Sequence, residues 1–147
     1  MVNIKSNNNL DFPPLLHLTY DLQQLSDKNL HAVVGVGLGQ VRIMSVLHQN
    51  AAHSQRTVSL LLHQTEANVS RQLQLLKKKG MVSITKNKKD ARQRDVKLTV
   101  KGAKALGSAL KTLNTQQKNL MKLVSTKDQQ AVDRAAANLM RATNNKT

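Results

Sequence analysis

The chain is 147 residues long and 39% hydrophobic, with 23 Lys and Arg against 8 Asp and Glu, a formal net charge of +15 at pH 7. That length suits one domain with a real core, and so much like charge opposes compaction unless an anionic partner relieves it, nucleic acid first among candidates. Cysteine does not occur, which excludes disulfides, thiolate nucleophiles, Cys-ligated zinc and thiol redox sensing. With no run of about 18 apolar residues and no signal-peptide pattern, no membrane span is expected and the expected compartment is the cytoplasm. Phe12 and Tyr20 are the only aromatics, too few to stack single-stranded bases over most of the chain, which favours a double-helical partner.

Residues 1–14, rich in Asn and closed by Pro13-Pro14, have no period and read as a flexible N-terminal arm. Leu15, Leu18, Leu22 and Leu25 then recur at alternating steps of three and four, a leucine stripe on a first helix over 15–34. Gly35 to Gly39 interrupt that pattern, and they lack the preceding strand and following acid that a dinucleotide-binding glycine turn needs. A second helix carries Val41, Met44, Val46 and Leu47 and ends near Gln49-Asn50. From Thr57 a short apolar block, Val58 and Leu60 to Leu62, reads as a short helix. It is followed by Thr65-Glu66-Ala67-Asn68, where Thr65 is placed to cap a new helix and Glu66 to meet its positive end. Lys77, Lys78 and Lys79 in the last turn and Gly80 beyond it close that helix.

Val82 and Ile84 alternate with Ser83 and Thr85, and Val96 and Leu98 with Lys97, giving two strands that each present one apolar face. The tip between them, Asn87 to Arg94, carries four cations against one anion and should project into solvent as a wing. Thr99 can cap a long helix in which Ala103, Leu106, Leu110, Leu113, Gln117, Leu120 and Val124 keep three-four spacing. A last helix starts at Ser125 or Thr126 with Val132, Ala135, Ala136 and Leu139 as its apolar side, and residues 143–147 are expected to be a disordered tail.

Charge is concentrated in the middle: residues 54–104 hold 13 Lys or Arg and 3 acids. On a helical wheel Val69, Leu73 and Leu76 share one side of the Thr65-capped helix. Ala67, Arg71, Gln74 and Lys78 occupy the opposite side, with Asn68 and Ser70 flanking. Arginine pairs with guanine O6 and N7, Asn or Gln with adenine N6 and N7, and Ser with several base edges or phosphate, so this is the side-chain set a major-groove helix needs. A solvated polar face would look the same in isolation. The short helix before it and the basic hairpin after it are what favour a DNA reader.

At this point the residues resemble the MarR family of winged helix-turn-helix transcription regulators. Gly39-Gln40-Val41-Arg42-Ile43-Met44 is similar to that family's entry into the binding lobe. Val69-Ser70-Arg71 through Leu76, with Lys79-Gly80-Met81-Val82, is similar to its recognition helix and exit. Asp90-Ala91-Arg92 matches the D-x-R of its wing, and Leu98-Thr99-Val100-Lys101-Gly102 the L-T-x-x-G that opens its long dimerisation helix. The resemblance covers roughly residues 15–142. It implies a mainly α fold, a winged helix-turn-helix with a two-stranded β-wing, with a DNA-binding lobe over 38–99 and dimerisation helices over 15–34 and 100–142.

The function so implied is a homodimeric, sequence-specific regulator of double-stranded DNA, a repressor on a palindromic operator, with a small-molecule effector able to release it. The recognition-helix residues would be Thr65, Ala67, Asn68, Ser70, Arg71, Gln74 and Lys78. In the wing, Arg92 would enter a minor groove, a site that attracts arginine, with Asp90 orienting it, while Lys88, Lys89 and Arg94 meet phosphates. The dimer face would use Leu15, Leu18, Leu22, Leu25, Leu106, Leu110, Leu113, Leu120 and Leu139, since one small lobe cannot obviously bury two long apolar stripes.

Enzyme chemistry is disfavoured: Glu66 and seven aspartates are the only acids, and neither a nucleophile elbow nor a phosphate-binding glycine loop occurs. His17, His31, His48, His53 and His63 include no i, i+4 pair, so neither a metal nor another cofactor is expected. Two rivals stay open on the sequence: a non-specific nucleic-acid packaging or RNA-binding protein driven by charge alone, and a protein-interaction adaptor that keeps the fold without reading DNA.

Overall fold

The computed structural model describes residues 13–49 and 53–144. Most of the expected arm, 1–12, and the last three residues of the expected tail lie outside the described residues. The elements are α1 (Pro14–Val34), α2 (Leu38–Gln49), β1 (His53–Ser54), α3 (Gln55–Leu61), α4 (Glu66–Lys78), β2 (Val82–Lys86), β3 (Arg94–Leu98), α5 (Val100–Met121) and α6 (Thr126–Asn144). The chain divides into two compact units, one ending at Ala109 and the other beginning at Leu110. Among the described residues no single helix is long and apolar enough to cross a membrane.

In the first unit, α1 begins at Pro14, one residue inside the stretch expected as an arm, because proline at the first helical position has no N–H to satisfy. It ends at Gly35, whose φ of 70° is left-handed, and α2 leaves at a bend of 70°. The short helix α3 starts earlier than the apolar block indicates. Ser54 is its cap, accepting from Thr57 N at 3.1 Å, which places Thr57 within the helix and Leu62 beyond it. The α4 helix has both ends the sequence predicts: Thr65 Oγ1 accepts from Asn68 N at 3.2 Å, and Gly80 follows the last turn at φ 70°.

Beyond α4 the hairpin pairs in the register Val82 with Leu98, Ile84 with Val96 and Lys86 with Arg94. The sheet has three strands, in the order β1-β3-β2, rather than two. His53 pairs with Val96 and Ser54 with Asp95, a two-residue strand too short to show any alternation in sequence. The core of this unit gathers Leu30 and Val36 with Ile43, Met44, Val58, Val69, Leu73, Leu76 and Val96, all fully buried. Leu106 joins that core at 3% exposure. Its place on the seven-residue spacing suggested a dimer contact, but the face of α5 near its start turns toward the lobe.

Where β3 passes into α5, the chain crosses itself closely. Thr99 N donates to Met81 O at 3.0 Å, Thr99 Oγ1 donates to Gly80 O at 2.7 Å, and the same oxygen accepts from Gly102 N at 3.0 Å. One threonine thereby caps α5 and ties it to the exit of α4. Gly102 lies against this crossing, where a Cβ would run into the Met81 carbonyl oxygen and approach Leu98 Cδ1 to 2.7 Å.

In the second unit, α5 stops at Met121, so Val124, in phase with the apolar series, lies past the helix. Ser125 caps α6 by accepting from Asp128 N at 3.2 Å, and Gln129 Nε2 donates to the carbonyls of Met121 and Val124. Helix α6 continues through Asn144, which makes Thr143 and Asn144 helical rather than part of a disordered tail. It buries none of its residues.

Gly102→Ala is expected to destabilise the protein by about 1–3 kcal/mol through overpacking. Gly107→Ala, where a Cβ meets nothing within 4 Å, should stabilise it by up to about 1 kcal/mol through helix propensity. Urea denaturation of the two variants measures both, and equal effects would contradict the crossing.

Candidate nucleic-acid interface

The candidate interface is built on α3, α4 and the β2-β3 hairpin. The turn between α3 and α4 is closed by Gln64 N donating to Ser59 O at 3.0 Å, with His63 at φ 51°. A left-handed conformation is uncommon outside glycine, and no feature of the sequence signals it at His63. The helix that leaves this turn buries Val69, Leu73 and Leu76 completely. The remaining predicted positions follow from that burial: Thr65, Ala67, Arg71, Gln74 and Lys78 are exposed, and Asn68 and Ser70 are half-buried on the flanks. Thr65 spends its hydroxyl on the cap, and Asn68 Nδ2 donates to Gln64 Oε1 at 3.1 Å. Arg71, Gln74 and Lys78 therefore offer exposed hydrogen-bonding groups on this face.

The one large apolar side chain exposed on the same helix is Leu75, at 40%. Glu66 stands in the first turn and Lys77 and Lys78 in the last, so the side-chain charges oppose the helix dipole at both ends. Gln55 Nε2 lies 3.5 Å from Glu66 O, which brings the start of α3, with exposed Arg56, beside the start of α4. Arg56 escaped the sequence reading because a single arginine at the head of a short helix carries no pattern.

The wing tip is organised by two side chains. Asn87 Oδ1 accepts from Lys89 N at 2.7 Å and Asp90 N at 3.0 Å, while its Nδ2 donates to both carboxylate oxygens of Asp95. Asp90 Oδ1 accepts from Arg92 N at 2.9 Å, and Asp90 Oδ2 from Gln93 Nε2 at 3.2 Å. Asp90 thus acts on the backbone of Arg92, whose side chain stays exposed, as do those of Lys88, Lys89 and Arg94. Lys88, Lys89 and Arg92 stand on this short, hydrogen-bonded loop and Arg94 at the head of β3, four cations at one end of the hairpin.

The expected dimer residues fall into two groups. Leu15, Leu18 and Leu25 on α1, Leu110 on α5 and Leu139 on α6 are exposed, between 36% and 53%, while Leu22, Leu113 and Leu120 are half-covered. Leu106 is the exception described above. Among the described residues no group of three His, Asp or Glu converges as a metal site.

Asn87→Ala removes the acceptor for two tip amides. Hydrogen exchange at Lys89 and Asp90 should then be about fivefold faster, matching loss of a bond worth about 1 kcal/mol, with α4 unchanged; unchanged exchange would show the tip held by other contacts.

A model of the winged helix DNA-binding domain matches residues 40–116 of this chain. Among solved structures, the chain is similar to a MarR transcriptional regulator from Methanosarcina mazei Go1, with a TM-score of 0.77 at 20% identity, covering 90% of this chain and 95% of that one. It is similar to MepR from S. aureus, solved as a MepR-DNA complex, with a TM-score of 0.74 at 16% identity over 90% and 99% of the two chains. A third likeness is to the PcaV transcriptional regulator from Streptomyces coelicolor in complex with its natural ligand, with a TM-score of 0.69 at 16% identity over 86% and 92%. These likenesses establish a shared fold. No curated protein matches the chain by sequence.

Proposed function

Since this chain belongs to the winged helix DNA-binding domain family, whose model spans more than half of it, we propose that it is a sequence-specific transcription regulator of double-stranded DNA. It acts in the cytoplasm as a homodimer on a palindromic operator and represses by occupying it. The observation that carries this reading is the two-sidedness of α4: three fully buried apolar side chains opposite exposed Arg71 and Gln74, beside a wing that presents Arg92. Such a helix presents hydrogen-bonding groups for base edges, and the wing cations supply phosphate and minor-groove contacts. MepR, which shares the fold, is seen with DNA.

Dimerisation is supported by the leucines left exposed on α1 and by α6, which buries none of its own side chains. Twofold pairing covers such faces and places two identical readers on a palindrome. A small-molecule effector is consistent with the ligand held by PcaV.

The decisive experiment is a binding comparison at physiological salt between DNA from upstream of the chain's own gene and random duplex. Preference by at least about 10³ supports a regulator, and equal affinity supports charge-driven packaging. Within that assay Arg71→Ala should cost about 1–3 kcal/mol on the operator and relax preference at one base position. Lys88→Ala should weaken all duplexes alike and lower the salt slope by about 1. Equal losses on operator and random DNA for Arg71→Ala would remove Arg71 from base reading.

A further inference from the structure

Helix α5 carries a second series besides its leucines. Lys101, Lys104, Lys111 and Lys118 fall on one stripe at steps of three, seven and seven, with Ser108 and Thr115 filling the same phase. Lys122, just past the helix, keeps that phase because its N donates to Lys118 O at 3.2 Å. All of these residues are exposed. The opposite side holds the buried Gly102, Leu106 and Ala109, and the half-covered Leu113, Gln116 and Leu120 continue it. The lysines therefore stand on the outer face of α5 for the reason that Arg71 stands on that of α4, since packing claims the other side.

No acid relieves this charge. Residues 96–127 contain seven lysines and neither Asp nor Glu, and the side chains of the five lysines in the row make no ion pair or hydrogen bond among the described residues. Ammonium groups in such a line repel one another, and an anion of high charge density relieves that. A second copy of the chain does not, because two such faces would set lysine against lysine. The row has no aromatic side chain on which single-stranded bases could stack. Hydroxyls, and no apolar side chains, fill the places between its lysines, so an amphipathic helix or a membrane surface would gain no apolar burial there. Duplex DNA needs neither: it carries one charge per about 1.7 Å of its axis, and lysines that bind it gain by releasing its condensed counterions. Lys104, Lys111 and Lys118 recur about 10.5 Å apart along the helix, and a flexible four-carbon stem lets each find a phosphate. Lys111, Lys118 and Lys122 belong to the second unit, whereas α4 and the wing belong to the first, so the row is a surface distinct from the reading face.

We propose that the lysine row of α5 is a second duplex-binding surface, which takes the phosphates of another DNA segment without regard to sequence while α4 and the wing hold their own. A protein so equipped joins two duplexes. The proposal does not require α4 to select bases, since any duplex held by α4 and the wing leaves the row free for a second one.

The test is a capture assay with the full-length protein: one random duplex is fixed to beads, and a second, fluorescent random duplex is offered to the protein bound there. The wild type should retain the second duplex. Raising salt from about 50 to about 200 mM should weaken that retention by up to about 500-fold, as five phosphate contacts require. The combined substitutions Lys111→Gln, Lys118→Gln and Lys122→Gln should lower retention at least about tenfold, three phosphate contacts being lost, while the protein still occupies the bead-bound duplex and sediments in the same oligomeric state. Arginine at the same three positions should restore retention, which a loss through misfolding would not predict. No retention by the wild type, or equal retention by the glutamine variant, would overturn the proposal; in the second case the reading faces alone would account for the bridging. Weaker binding of the variant to a single long duplex, without any captured second one, would place the row on flanking DNA and overturn it too. So would binding to polyglutamate or phosphatidylserine vesicles that depends on these lysines more strongly than duplex retention does. Preference for upstream over random DNA is measured separately and should be unchanged by the glutamine substitutions. Lysine-dependent retention by a protein that selects no operator would keep the row and refute the reading function of α4.

Discussion

Val69, Leu73 and Leu76 decide which way α4 faces, and the remaining features of the lobe are arranged around that choice. Each is fully buried, and burying an aliphatic side chain of this size is worth about 1.5–3 kcal/mol. Turning the helix half a revolution would expose all three and push Arg71 and Gln74 into the core, at a further cost for each unpaired polar group. The accessible face is thus not a free surface that happens to be polar. It is the complement of a core that tolerates one orientation only, with a cap at Thr65 and a left-handed Gly80 marking the helix ends.

The neighbouring elements hold this helix at both ends. Its start follows the strained turn at His63, and its exit is gripped by Thr99, which bonds Gly80 and Met81 while capping α5. The wing tip has local ties of its own, the Asn87 and Asp90 hydrogen bonds. Arg92 is consequently presented by a defined backbone instead of a loose loop, which lowers the ordering cost of any contact its side chain makes.

Features encoded within a few residues were legible in the sequence. Thr65 and Thr99 as caps, Gly80 as a terminator, and the alternation of Val82, Ile84, Val96 and Leu98 each follow from local spacing, and the structure has all of them. What escaped depends on distant partners. Strand β1 is two residues long and exists only because β3 offers an edge to His53 and Ser54. Leu106 keeps the period of the long helix, yet it is claimed by the lobe's own core, a distinction that periodicity cannot draw. The series through Val124 overran the end of α5 because a turn can continue an apolar phase for a few residues.

The chain contains no cysteine, so a DNA-cleaving reagent can be attached at a single introduced thiol, Gln74→Cys on α4 or Arg92→Cys on the wing, and the cut positions mapped on both strands of a bound operator. The account predicts discrete cuts from position 74 with the stagger of a reagent lying in the major groove. Position 92 should give cuts of the opposite stagger, from the adjoining minor groove. Diffuse cutting from position 74 along the whole duplex, or the minor-groove stagger from that position, would contradict it.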